Sequence, residues 1–86
     1  MPLIGYIVNF RLGGKRQYPK QAIIEIPGVD NRSKAAQFLN RRVEWVRGKT
    51  RIVGVLKRIH GRKGRVIAYF RRGLPGQAIG TTVLIR

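Results

Sequence analysis

The chain has no cysteine. That excludes disulfide cross-links, thiolate metal sites and thiol nucleophiles together, and it fits an intracellular protein. Acidic residues are nearly as scarce: Glu25, Asp30 and Glu44 are the only carboxylate side chains among 86 residues. There is one histidine, His60, one serine, Ser33, and one tryptophan, Trp45. Acid–base catalysis needs convergent titratable groups. Three acids scattered over separate elements and outnumbered by arginine read instead as salt-bridge partners. His60 alone lacks the companions a metal site requires. The sequence therefore reads as non-enzymatic, with no metal and no cofactor. Long apolar runs are missing too. The longest, Val66–Phe70, is far too short to span a bilayer. The amino-terminal MPLIGYIVNF has neither the basic segment nor the cleavage site of a secretory leader. A cytoplasmic location without membrane contact is expected.

Positive charge is what the chain has in excess. Nineteen Lys and Arg give a formal net charge of +16. Such a charge repels itself and costs stability unless something neutralises it. A polyanion does so most readily, because counterion release rewards dispersed cations. Arginine outnumbers lysine thirteen to six, which favours bidentate phosphate contacts and base stacking, and so nucleic acid over a lipid surface. The length suits one domain over residues 1–86 with a modest core. No internal repeat, low-complexity tract or linker divides it.

The densest concentration of charge lies in Arg51–Arg72, RIVGVLKRIHGRKGRVIAYFRR. Two apolar-rich runs, Ile52–Ile59 and Val66–Phe70, flank the short cationic loop His60-Gly61-Arg62-Lys63-Gly64. Runs of this kind joined by a few residues containing glycine read as a β-hairpin. Apolar residues alternate only partly with Lys and Arg, as in a sheet with a packed inner face and a charged outer one. Two glycines at the tip let its backbone approach an anion closely. Val66, Ala68 and Phe70 share the core face, which leaves Tyr69 on the other, beside Ile67 and Arg71.

The rest of the chain supplies four more strands. Leu3–Leu12 places Tyr6, Val8 and Phe10 on one face and Ile7, Asn9 and Arg11 on the other. Gly13-Gly14 turns the chain, with Lys15 and Arg16 crowding the turn. Gln21–Ile26 aligns Ala22, Ile24 and Ile26, and Pro27-Gly28 ends it. A short helix follows, capped by Asp30 or Ser33 and running to Phe38 or Leu39, with Asn40 left-handed at its end. Arg41–Arg47 points Val43 and Trp45 one way and Arg42 and Glu44 the other; Trp45 reads as core or barrel rim. Gly48-Lys49 turns into Arg51–Ile59, and Arg65–Arg71 is the fifth strand. The Gly73–Gly76 loop precedes a last strand, Thr81–Ile85. Six short strands with close turns and one short helix predict an all-β fold, a small six-stranded antiparallel barrel or strongly bent sheet, in which closure removes exposed edges.

Two fragments resemble phosphate-binding motifs and fail on context. Gly48-Lys49-Thr50 lacks the P-loop's earlier glycine, since position 43 is Val43, and a strand follows it. Gly61 and Gly64 lack the first glycine of a dinucleotide fingerprint at Ile59. What remains is binding by basic residues. The hairpin supplies Lys57, Arg58, His60, Arg62, Lys63 and Arg65, and the following loop Arg71 and Arg72. Arg11, Lys15, Arg16, Arg41, Arg42 and Lys49 join them from the other strands and turns.

The ordered set Gly54-Val55-Leu56-Lys57-Arg58-Ile59-His60-Gly61, Gly64, Val66, Ala68-Tyr69-Phe70, Leu74-Pro75 and Ala78-Ile79-Gly80 resembles the ribosomal protein L35Ae family of the archaeal and eukaryotic large subunit. The likeness extends upstream to Gly5, Ala22–Val29 and Phe38–Val46. Departures are Arg62-Lys63 in place of smaller polar residues, Ile67 where the family often has a basic residue, and Asn40 where a glycine is usual. The short form resembles an archaeal member. The resemblance implies a small barrel like those of translation factors, embedded in ribosomal RNA (rRNA), beside neighbouring ribosomal proteins and near tRNA, and monomeric when free. On the residues alone, a tRNA-binding or chromatin-like DNA-binding protein stays open. So does a basic module that meets an acidic protein.

Overall fold

The structure is a computed structural model and describes residues 3–10, 20–61 and 63–86. Six strands, β1 (Leu3–Phe10), β2 (Gln21–Glu25), β3 (Arg42–Arg47), β4 (Thr50–His60), β5 (Arg65–Phe70) and β6 (Thr82–Ile85), are joined by one short helix, α1 (Arg32–Ala36), and a 3-10 turn at Gly76–Ala78. They form a closed barrel in the order β1-β2-β5-β4-β3-β6, with every pairing antiparallel. The predicted strands all form, with ends within one residue of expectation, except that the end predicted for the first strand, at Leu12, lies outside the described residues. The predicted turn at Gly13-Gly14 lies outside the described residues.

Alternation builds the core. Ala22, Ile24 and Ile26 are buried from β2 and its exit, and Val66, Ala68 and Phe70 from β5, as the pattern predicts. Trp45 is 3% exposed, and its indole N–H donates to the Thr81 hydroxyl at 2.8 Å, which satisfies the one polar atom that burying this residue would otherwise strand. The Thr81 hydroxyl in turn donates to the Ala78 carbonyl. Leu74 and Ala78, from the connection before β6, are fully buried and join the same cluster.

Two β-bulges explain why the alternation is only partial. In β1 the register against β2 shifts between Ile7 and Asn9. Ile7 is fully buried, Tyr6 is exposed, and Phe10 returns to pack on the core. Regular alternation would group Phe10 with Tyr6; the extra residue reverses the phase and corrects that expectation. In β4 the register against β5 shifts between Leu56 and Arg58. Leu56 points inward, Lys57 and Arg58 are both exposed, and Ile59 packs on the core again. Bulges bend strands and increase twist, which a small closed barrel requires.

The helix departs from expectation at its start. Its cap is Asn31, in extended conformation, whose side chain accepts from the Lys34 N–H at 2.9 Å. Asp30 instead pairs with Lys34 at 3.4 Å, and Ser33 lies inside the helix. The helix stops at Ala36, short of Phe38, and continues as turns to Asn40, which has φ 70° as predicted. The backbone N–H of Asn40 donates to the Leu56 carbonyl at 2.7 Å, so the left-handed residue delivers the chain onto β4.

Candidate nucleic-acid interface

The β4–β5 hairpin reaches its tip at His60–Gly64. Gly61 and Gly64 have φ +75° and +89°, a region that glycine enters without a Cβ penalty. Gly64 also makes a close approach. A Cβ there would lie 2.9 Å from the Asn31 N and O atoms and 3.0 Å from the Val29 carbonyl oxygen. The tip is thus seated on the loop that leads into α1. Arg32, the residue after Asn31, donates from Nη1 to the Gly61 carbonyl at 3.4 Å. His60, Gly61, Lys63 and Arg65 line an open depression of about 400 Å³ beside it. The bulge places Lys57 and Arg58 on the exterior just below.

A second cationic cluster lies at the far end of β4. Arg47 and Lys49 are exposed around the Gly48 turn, and Arg51 begins the outward course of β4. The Arg72 guanidinium donates to the Arg51 carbonyl at 3.1 Å, and Arg71 is anchored by its backbone N–H to Val53 at 2.9 Å. Since β4 has eleven residues, a rise of about 3.3 Å per residue separates the two clusters by roughly 30 Å. Arg41 and Arg42 lie between them. The Arg41 guanidinium sits 5.4 Å from the Phe38 ring centroid, within cation–π range.

All three carboxylates are already engaged. Glu25 holds Arg65 at 3.1 Å, Asp30 holds Lys34, and Glu44 holds Arg86 at 3.2 Å with Arg51 at 4.0 Å. Glu44 faces away from Val43 and Trp45, yet it is 4% exposed, flanked in register by Val53 and Leu84 and paired with the two arginines. Local sequence gives no sign of this, since Arg86 is 42 positions away. The expectation that the acids serve as salt-bridge partners is met. It carries a consequence for Arg65, which enters the cationic surface already paired.

Of the predicted contact residues, the structure gathers Lys57, Arg58, His60, Lys63 and Arg65 at the tip, and Lys49, Arg71 and Arg72 at the opposite end. Arg11, Lys15, Arg16 and Arg62 lie outside the described residues. Arg32, Arg47 and Arg51 join the clusters without having been singled out. Arg47 flanks the Gly48 turn and could have been included on that ground, whereas nothing local links Arg32 to Gly61. Among the described residues no three His, Asp or Glu side chains come together as metal ligands, and no helix is long and apolar enough to cross a membrane.

A family model described as ribosomal protein L35Ae matches residues 3–86. The large ribosomal subunit protein eL33 of Methanopyrus kandleri is 46% identical over 84 residues, covering 95% of this chain and 93% of that protein. The protein of the same name from Aeropyrum pernix is 33% identical over 82 residues, covering 92% and 85%. That of Dictyostelium discoideum is 29% identical over 91 residues, covering 94% and 87%. The identity to the Methanopyrus protein agrees with the reading of an archaeal type.

Proposed function

The chain belongs to the ribosomal protein L35Ae family, and on that footing we propose that it is a structural constituent of the large ribosomal subunit that binds and stabilises folded rRNA through its basic barrel surface. The observation that carries this reading is the pair of cationic clusters at opposite ends of β4. Two clusters roughly 30 Å apart on a stiff closed sheet suit a strut between separate rRNA segments better than a reader of one groove. Backbone contacts of this kind fit folded RNA, whose deep major groove offers little direct readout. The sites are Lys57, Arg58, His60, Lys63 and Arg65 at one end and Lys49, Arg71 and Arg72 at the other. Arg41 and Arg42 lie between, and Arg11, Lys15, Arg16 and Arg62 add charge. The protein acts in the cytoplasm as part of the ribosome, beside other ribosomal proteins and near tRNA, and it is a monomer before assembly.

Two measurements test the proposal. The native protein should sediment with the large ribosomal particle and leave it when the RNA is digested. In equilibrium binding to large-subunit rRNA, neutralising about six to ten phosphates should lower affinity roughly 10³–10⁵-fold between 50 and 200 mM salt. A nearly flat salt response would count against it. Preference for duplex DNA over structured rRNA would favour a chromatin-like protein, and association that survives complete RNA digestion would favour an acidic protein partner.

A further inference from the structure

The outer surface of β3, β4 and β5 carries a groove of about 280 Å³, lined in part by Arg42, Val53, Val55, Tyr69 and Arg71. Of its lining residues only Arg71 belongs to a cationic cluster. The strand register places Arg42 opposite Val55, and Val55 opposite Tyr69. Three adjacent strands therefore set a guanidinium, a branched aliphatic side chain and an aromatic ring in one row. Arg71 sits two residues past Tyr69, fixed by its backbone bond to Val53. Val53, Val55 and Tyr69 are each partly exposed. Gly54, also in the lining, draws the strands together, because any Cβ there would collide with the Tyr69 carbonyl and lie 2.9 Å from the Phe70 Cα. Among the described residues Arg42 and Arg71 make no ion pair, and the three carboxylates are committed elsewhere.

We propose that this groove receives one unstacked nucleobase of the bound RNA, with Tyr69 as its stacking platform and Arg42 and Arg71 on the flanking phosphates. The inference rests on the RNA-binding reading and deepens it. A base needs a flat apolar seat, which Tyr69 and the two valines supply. Its neighbouring phosphates need cations that no internal acid has claimed, and the arginines supply those. Folded RNA presents such bases at bulges and loops, where aromatic side chains take them up in a sequence-tolerant way. An apolar side chain from a neighbouring protein would fit the valines but would leave both guanidinium groups uncompensated.

The test uses the intact chain and two synthetic RNA hairpins of equal length, one fully paired and one with a single bulged fluorescent adenine analogue. The wild-type protein is expected to bind the bulged hairpin about tenfold more tightly and to quench the analogue. Tyr69→Ala should abolish both effects while changing affinity for the paired hairpin by less than twofold. Tyr69→Phe, which keeps the ring, should retain them. Circular dichroism and a thermal melt on each variant confirm folding. Equal affinity of the wild type for the two hairpins, or a preference that survives Tyr69→Ala, would overturn the groove assignment and leave rRNA binding intact. Failure of the wild type to bind either hairpin or large-subunit rRNA would remove the RNA reading and this proposal with it. Loss of incorporation into the subunit on Tyr69→Ala, with both hairpin affinities unchanged, would assign the groove to a protein side chain instead.

Discussion

Strands β1 and β6 form one wall of the barrel, and β4 and β5 form the wall opposite. Inside, the two walls bury the same kinds of residue: Ile7, Val83 and Ile85 from one, Leu56, Val66 and Ala68 from the other. Outside they differ. Neither β1 nor β6 contains a lysine or arginine, and Ile4 and Tyr6 stand 48% and 42% exposed. The opposite wall presents Arg51, Lys57, Arg58 and Arg65. The seams between the walls are β2 and β3, and each carries a carboxylate. Glu25 on β2 takes Arg65 from β5; Glu44 on β3 takes Arg51 from β4 and Arg86 from the end of β6. The inward pattern that closes the barrel and the outward pattern that selects a partner are thus set independently, on alternate residues of the same strands.

The strongest way to break this contrast is to strip one wall. Replacing Lys57, Arg58 and Lys63 together by Gln should weaken rRNA binding on the order of a hundredfold at moderate salt and lower the salt slope by about three. Replacing Ile4 and Tyr6 together by Ser should leave affinity within twofold. A filter-binding titration reads both, and comparable losses from the two variants would erase the distinction.

Packing gives the next largest effect. Gly54→Ala on the cationic wall forces a Cβ onto the Tyr69 carbonyl and the Phe70 backbone, neither of which can move without breaking the pairing. It should cost about 1–3 kcal/mol in urea denaturation. Gly5→Ala on the apolar wall meets side-chain methyls first, Ile24 Cγ2 at 2.7 Å and Ile85 Cδ1 at 3.2 Å, with the Glu25 carbonyl oxygen at 3.4 Å; side chains give more readily than paired backbone, so its cost should be smaller. Equal costs would mean that the two walls are equally tight.

The seams respond more gently. Glu44→Gln removes the buried negative charge that Arg86 and Arg51 share and turns one of its acceptor oxygens into a donor. Both arginines remain more than half exposed and can recover water, so the loss should be about 1–2 kcal/mol. Glu25→Gln should change stability by under about 1 kcal/mol, since its pair with Arg65 is half-exposed on both sides. By releasing Arg65 it should raise rRNA affinity a few-fold. Weaker binding after Glu25→Gln would show that Glu25 positions Arg65 and does not compete for it.

Much of the barrel is legible in the residues because local chemistry dictates it. The alternation Ala22, Ile24, Ile26 and its counterpart Val66, Ala68, Phe70 mark core faces. The glycines at the hairpin tip and the left-handed Asn40 mark turns. What escapes local reading is whatever depends on pairing. The bulges in β1 and β4 are properties of two strands in register, so the regrouping of Phe10 with the core has no signature in β1 alone. Asp30 and Ser33 are as good in principle as Asn31 for capping α1, and the tertiary path of the 26–31 loop decides among them. The charge surplus announces a polyanion. The burial of Glu44 and the placing of Arg32 beside Gly61 are decided by residues far apart in the chain.

The irregularity at Lys57 also bears on how this protein can vary in length. Elsewhere in β4, losing one residue would reverse the orientation of every side chain beyond it and turn the core outward. Losing Lys57 would only iron out the bulge: Arg58 would take its outward place, Ile59 would still face in, and the pairing from Ile59 to the tip would be kept. The strand therefore has a slip joint, at which a one-codon deletion removes a charge and some curvature and leaves the rest of the hairpin in phase.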